Sequence, residues 1–462
     1  MPSPAQTPRP HEEHADESRR REARRRAVAF ALVFAAAFGV RLLCWRDVRF
    51  EAYKVQTSVS ENYRQLARLL VQNGAASFYD PRSTTSEPDL LGHPPGYPFV
   101  LAAVYALFGE RDAAAQVFQA ACDALAAALV FLIAAELLSY GTGLVAGALA
   151  CLAPQFVWNS LMFLPDTLAV LPLLLGVWLL VRARGGTSLT RAFGAGVLFG
   201  LSCWLRANAL LLAPLVAVVA VPALFGKGAR LRAGLLLVAG ALLAVAPVTL
   251  RNAVVYGRFI PVSLGAGQTL VEGVADYDTG RRFGLPDTDV ELQRMEAEEA
   301  GRPEYAASLF TPDGIERDRQ RTRRALKVIA SHPFWFAGVM ARRAGSMLRL
   351  ERTPLASVAP VSEDWGRAPR LAVRAVQKLF ITAVFLPLYL AGVALLLYGR
   401  RGRELAALAA VPLYYLCVQS ALHTEYRYVL AVHYLLFVVA AYALERAWRA
   451  AYERLKTVRA RV

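Results

Sequence analysis

The stretch "LLGHPPGYPFVLAAVYALFG", residues 90–109, decides how this chain is threaded. It opens on His93 among three prolines and runs into the apolar segment 95–109. Prolines stiffen the backbone and donate no hydrogen bond, and each restricts the residue before it. A proline is nevertheless welcome in a first helical turn. The opening can therefore be a plain helix start, or a rigid lip that presents His93. The apolar run of 95–109 is shorter than the ~20 residues that a membrane-crossing helix needs. Whether it crosses sets the side of every segment that follows.

Composition points to a membrane. Of 462 residues 56% are apolar and 19% charged, both displaced from soluble composition in that direction. The net charge of +16 is concentrated at the two termini and in "RARGGTSLTR" (182–191), "GKGARLR" (226–232) and "GRRGRE" (399–404). Short basic segments between apolar runs follow membrane topology, whereas a nucleic-acid footprint would be a basic stripe on a polar domain. Apolar stretches at 27–45, 113–138, 143–163, 166–182, 192–206, 207–225, 233–250, 379–398, 405–422 and 428–444 give ten spans. With both ends cytoplasmic these put all five basic segments inside, provided 95–109 does not cross. If it does cross, 143–163 must fail to span. The five cysteines have neither metal-ligand spacing nor an even count, and read as packing residues.

The expected fold is an all-α polytopic membrane protein of about ten or more transmembrane helices, with amphipathic helices in its external loops. Residues 1–26 read as a disordered basic tail, with 27–250 an N-terminal transmembrane module carrying the external loop 46–94. Residues 251–378 form a large external loop, 379–446 the C-terminal helices and 447–462 a second basic tail. In the large loop "RDRQRTRRALKVIASHPFWFAGVMARRAGSML" reads as one or two amphipathic helices. The run 27–40 after the basic cluster imitates a signal peptide, but no cleavage site is visible and many spans follow, which favours an uncleaved first helix.

On this topology the costly polar residues collect at one face: Glu61, His93, Asp166, Arg206, Asn208, Arg251, Asn252, Glu425 and Arg427. Ionisable groups at membrane depth point by default to function. Each has a structural alternative, Asp166 as a helix cap and Arg251 as an interfacial anchor. Glu61 ends the sequence Ser58-Val59-Ser60-Glu61, which fits a capping box with Ser58 as N-cap. It can be a cap, a general base, or both.

"ENYRQLARLLVQNGAASFYDP" followed by "HPPGYPFVLAAVYALFG" resembles the first external loop of GT-C type glycosyltransferases that use polyprenyl-phosphate sugars, in the protein-mannosyltransferase and aminoarabinose-transferase-like branch. "GLSCWLRANALLLAP", "APVTLRNAVVYGRFIPVSLGAGQTLVEG" and "EYRYVLAVHYLLFVVAAYAL" follow as later landmarks, so that the resemblance covers about residues 27–445. It implies a GT-C-like bundle and a catalytic carboxylate just before the tyrosine of the first-loop helix. Here the nearest carboxylate before Tyr63 is Glu61, slightly out of register with the family's aspartate. The resemblance also implies a cationic or polar group near the donor phosphate where His93 stands.

The implied activity is transfer of a sugar from a polyprenyl-phosphate donor to a hydroxyl of a glycan, lipid or protein acceptor, with inversion. Glu61 or Asp166 would take the proton. Arg206, Arg427 and His93 would stabilise the leaving phosphate, with Arg251, Asn252 and Glu425 as further substrate contacts. No glycine-rich phosphate loop is present and no cofactor is expected, with a divalent metal left open. The expected partners are the lipid-linked donor, the acceptor and the bilayer, with no nucleic acid. The expected location is the inner (plasma) membrane, active face outward. Two alternatives stand: a transporter or flippase, which would carry mid-membrane charges such as Asp123, and a catalytically silent scaffold, motivated by the displaced carboxylate.

Overall fold

In lipid a backbone must satisfy its own hydrogen bonds, which leaves helices as the usual solution. The computed structural model describes residues 10–52, 54–87, 90, 92–350 and 367–459, and among these there is no strand. The N-terminal half comprises α1 (Pro10–Ala52), α2 (Thr57–Asn73), α3 (Gly96–Phe108), α4 (Asp112–Leu137), α5 (Tyr140–Leu152) and α6 (Pro154–Asn159). It continues through α7 (Asp166–Arg182), α8 (Leu189–Leu205), α9 (Leu212–Val219), α10 (Val221–Leu224) and α11 (Arg230–Tyr256). The large loop folds as α12 (Ala266–Ala275), α13 (Asp289–Ala300), α14 (Gly314–Ser331), α15 (Pro333–Met347) and α16 (Arg367–Gln377). The chain ends in α17 (Thr382–Tyr398), α18 (Gly402–Val418) and α19 (Leu430–Arg459).

Among the described residues six segments are long and apolar enough to cross a membrane: Arg20–Ala52, Asp112–Leu137, Ala207–Leu224, Lys227–Tyr256, Gly402–Ala421 and Tyr426–Arg459. A seventh arises if α16 and α17, bent by 60° at their junction, are one span. The shorter helices run between these. Asp166 at the start of α7 faces Arg206, and Arg182 at its end reaches Glu136 at 3.7 Å, so α7 also traverses the bundle. The expected span 143–163 is broken at Pro154, which starts α6.

The decisive run 95–109 does not cross. A Cβ on Gly96, at the start of α3, would overlap the Trp204 carbonyl, and the Tyr97 hydroxyl donates to Gln119 at 2.6 Å. After α3 the chain turns at Gly109 (φ 74°) and enters α4 at Asp112, which pairs with Arg64 of α2 at 3.2 Å. Both ends of α3 thus stay at the same end of the bundle. At ~20 Å for its 13 residues it is too short to span ~30 Å of hydrocarbon.

The basic segments meet at the opposite end. Arg184 binds Glu404 at 2.5 Å, and the Gly185 amide donates to the Leu224 carbonyl, joining 182–191 to the neighbouring turns. Arg25 lies 4.1 Å from the Tyr140 ring, and Glu445 accepts from Ser139, so the polar ends of α1 and α19 join the same layer.

One expectation, of disorder in the first tail, is not met by the described residues. The described part of the first tail, from Pro10, is helical and continuous with α1; residues 1–9 lie outside the described residues. Pairs Glu17–Arg21 and Glu22–Arg26 at i, i+4 support it. The C-terminal tail likewise continues α19 to Arg459.

Inside the bundle Arg41 of α1 and Asp123 of α4 are fully buried and bonded at 2.6 Å. Arg41 also donates to the carbonyls of Ala37, Ala150 and Cys151, and Tyr434 of α19 donates to Asp123. An uncompensated charge here would cost several kcal/mol, so the network clamps four helices in one register. Close approach of α8 to α11 rests on glycine: a Cβ on Gly196 or Gly240 would overlap the facing carbonyl of Leu237 or Phe193. That contact fixes the position of Arg206, which caps α8.

Candidate active site

Three helix ends converge on Asp166, which sits in the first turn of α7 with its side chain 2% exposed. Arg206, in extended backbone after α8, places Nε 3.3 Å from one carboxylate oxygen. Arg427, in the turn before α19, places Nη1 4.0 Å from the other. Neither oxygen has a hydrogen bond among the described residues, so the carboxylate is held by charge and remains open to a donor. Arg427 is gripped from behind by Glu425, Nε and Nη2 donating at 2.8 and 2.7 Å in the two-pronged manner of guanidinium and carboxylate. Tyr428 stacks beneath both cations, its ring 4.0 Å from the Arg206 guanidinium and 5.0 Å from that of Arg427. Asn208 holds the turn by donating to the Tyr428 carbonyl and to Gln419. Between these residues lies a cleft of about 10 Å³, the room of one water.

His93 lies outside the cleft lining but close enough for the charges of Arg206 and Arg427 to act on it. Its ring lies 5.0 Å from that of Tyr63 and 6.5 Å from that of Phe310. Burial first, then the charges of Arg206 and Arg427, pull its pKa down to about 4, so at neutral pH the ring is uncharged. The prolines do form a lip: Pro94 and Pro95 are buried, and α3 starts one residue later.

Glu61 is not brought to this cluster. α2 starts at Thr57 behind Gln56, whose φ of 51° is left-handed and whose side chain makes no cap bond, so Ser58 is not the N-cap and no capping box forms. In this phase Ser60, Tyr63, Leu66, Ala67 and Leu70 face inward. Glu61 lies on the solvent side, 53% exposed, bonded to Arg68 at 2.6 Å. Ser60 takes the inward position and donates to the Phe163 carbonyl at 3.4 Å.

Arg251 and Asn252 also lie apart. Arg251 donates to the carbonyls of Phe78 and Thr85 and to Tyr256, and Asn252 donates to the carbonyls of Ile260 and Val262. Arg251 thus pins the first external loop to α11, and Asn252 pins the segment that follows α11, a structural use of buried polar groups. The structure therefore brings together His93, Asp166, Arg206, Glu425 and Arg427. The residues the sequence reading passed over are Tyr63, Ser60 and Tyr428; the aromatic residue beside Arg427 in "EYRY" was the available signal. Among the described residues no group of three or more histidine, cysteine or carboxylate side chains stands at metal-binding separation.

Residues 92–250 match the family model described as Dolichyl-phosphate-mannose-protein mannosyltransferase. No curated protein matches the sequence. Among solved structures, the oligosaccharyltransferase of Archaeoglobus fulgidus in its apo form aligns with TM-score 0.53 at 14% identity, covering 94% of this chain and 52% of that one. The same enzyme, AglB, in complex with an inhibitory peptide and a dolichol-phosphate aligns with TM-score 0.52 at 14% identity, with the same coverage. ArnT from Cupriavidus metallidurans bound to undecaprenyl phosphate aligns with TM-score 0.38 at 17% identity, covering 92% of this chain and 78% of that one. The chain thus spans about half the length of the first of these structures. The all-helical membrane architecture expected from the sequence is the one observed, and its fold is similar to that of the archaeal oligosaccharyltransferase, with a mannosyltransferase family-model match at residues 92–250.

Proposed function

We propose that the protein transfers a sugar from a polyprenyl-phosphate donor to a hydroxyl group of a cell-envelope acceptor. The observation that carries this reading is the convergence of Asp166, Arg206 and Arg427 from three helix ends in one buried cluster at one end of a membrane bundle. The family match within residues 92–250 and the dolichol-phosphate held by AglB support the same donor class.

In this reading the donor phosphate enters between Arg206 and Arg427, whose guanidiniums suit a tetrahedral anion. The acceptor oxygen attacks the anomeric carbon from the face opposite the phosphate. The bond from carbon to phosphate oxygen breaks, the lipid phosphate leaves with the electron pair, and the configuration inverts. Asp166 receives the acceptor proton, because it is the inward carboxylate with unbonded oxygens. Glu425 serves as the clamp on Arg427, and Tyr428 as the platform beneath the cations. Charge stabilisation falls to the two arginines, so the reading uses no cofactor; were a divalent ion to take part, Asp166 would be the residue to hold it, and the ion would supply further charge stabilisation to the leaving phosphate.

We further place the cluster on the outer face of the inner (plasma) membrane, with both termini cytoplasmic. Support comes from the basic segments, which gather at the opposite end as the positive-inside rule prefers. One observation favours the silent-scaffold alternative: the inward face of α2 carries Ser60, bonded to the Phe163 carbonyl, and no carboxylate. The deciding experiment incubates the purified protein in nanodiscs with a panel of labelled polyprenyl-phosphate sugars. Release of lipid phosphate that depends on Arg206 and Arg427 supports transfer. No turnover with any donor, despite donor binding, supports the scaffold.

A further inference from the structure

We propose that the groove between α1 and α5, at the end of the bundle away from Asp166, is a binding site for one anionic glycerophospholipid. The site is independent of the glycosyl-transfer reading. The groove encloses about 910 Å³, with Arg21, Arg24 and Arg25 at its mouth and Val28, Leu32 and Ala148 below them. On α1 these residues recur at helical spacing, so one face is basic at the top and apolar beneath. Val28 is 53% and Leu32 65% exposed, so protein does not cover that face.

The concavity has a cause. α5 carries small residues where it meets α1, and a Cβ on Gly147 would already press on Val33 at 3.1 Å. A larger residue at Ala148 would fill the hollow.

The mouth is built for a phosphate. Arg25 is steadied over the Tyr140 ring at 4.1 Å, and Arg24 has no hydrogen bond or ion pair among the described residues. Arg21 is partly neutralised by Glu17 at 2.6 Å, which leaves Arg24 and Arg25 as the principal cations. Basic pockets between membrane helices recognise anionic head groups in this way.

Length selects the occupant. From Val28 to Val40 the strip measures ~18 Å at 1.5 Å per residue, close to the ~15 Å of hydrocarbon in one leaflet. An acyl chain fits that depth, with its head group at the arginines. A polyprenyl chain, long enough to thread well past one leaflet, does not.

The test uses the full-length protein in nanodiscs of equal parts phosphatidylglycerol and phosphatidylcholine, with retained lipid read by native mass spectrometry after mild release. We expect one phosphatidylglycerol retained per protein. The double substitution Arg24→Gln with Arg25→Gln should weaken retention about thirty-fold, since each basic residue near the surface contributes about a factor of five. Ala148→Trp leaves the charges in place, touches no buried contact and should also expel the lipid. Equal retention of phosphatidylcholine would overturn the proposal, as would unchanged retention in Ala148→Trp. Displacement of phosphatidylglycerol by an equimolar polyprenyl phosphate would overturn the choice of occupant.

Discussion

Asp166→Asn keeps the shape of the side chain and removes its charge. In the parent, two guanidinium nitrogens lie 3.3 and 4.0 Å from the carboxylate oxygens. At ~4 Å and an effective dielectric constant of ~20, each pair carries about 4 kcal/mol of gross attraction. The net cost is smaller and unevenly shared. Arg427 keeps both bonds to Glu425, so its charge stays compensated. Arg206 keeps only the face of Tyr428, but its side chain is 20% exposed and water relieves part of the loss. The expected destabilisation is therefore about 2 kcal/mol, below the ~3–5 kcal/mol for a fully buried pair that loses one member. Turnover should fall much further, by ~10²–10⁴-fold, if Asp166 receives the acceptor proton.

A second variant separates the two effects. Asp166→Asn combined with Arg206→Gln removes the stranded cation, so thermal stability should recover in part while transfer stays lost. The measurements are thermal unfolding in detergent and single-turnover transfer from a labelled polyprenyl-phosphate sugar. An Asp166→Asn protein that unfolds early yet turns over within about threefold of the parent would refute the reasoning, leaving Asp166 as a strut.

Other outcomes follow from the same geometry. Glu61→Gln, which touches only the exposed Arg68 bond, should change stability by less than ~1 kcal/mol and leave transfer unchanged in the same single-turnover assay. Asp123→Asn strands the buried Arg41 and should cost ~3–5 kcal/mol in denaturation, with donor affinity of the folded fraction unaltered. Gly196→Val forces α8 from α11; both stability and donor binding should drop, because Arg206 moves with α8.

Much of this is legible in the sequence because bilayers punish ambiguity. Long apolar runs and basic breaks narrow the threading to two, in which either 95–109 or 143–163 fails to cross, and the deficient length of 95–109 is consistent with the first. Asp166, Arg206 and Arg427 stand out because each interrupts an apolar run at a helix end. The misplacement of Glu61 has a narrow physical origin. A capping-box template makes Ser58 the N-cap and Val59 the first helical residue, whereas the helix starts two residues earlier at Thr57, which leaves Glu61 inside a regular turn and about 200° round the helix from the inward Tyr63. Facing relationships one residue apart are set by packing against Phe163 and Tyr97, which local pattern does not encode. The role of Arg251 is hidden for a different reason: its partner Phe78 is 173 residues away. The Arg41–Asp123 clamp could have been found, since two opposite charges inside separate apolar runs predict each other.

The charge balance of the cluster leads to the remaining prediction, on His93. Two arginines face two carboxylates, Asp166 and Glu425, so the resting site is neutral apart from whatever proton His93 carries. The histidine is held uncharged by burial and by the two arginines, with its pKa at about 4 against an ordinary 6.5. A depressed histidine favours the folded state above pH 6.5, and that contribution is lost as pH falls toward 4. A donor phosphate lodged on Arg206 and Arg427 would cancel the charges that repel a proton and add a negative one. His93 would then regain a pKa nearer its ordinary value, and binding would draw in a proton. Donor affinity should accordingly rise as pH falls from about 7 toward 5, with a limiting slope of one proton. His93→Gln should flatten that profile while changing affinity at about pH 7.5 by no more than about threefold, because there the ring is neutral in the free site. A roughly tenfold loss at that pH would mean that His93 is already a cation, and an unaltered slope in the variant would assign the proton to Asp166 or Glu425 instead.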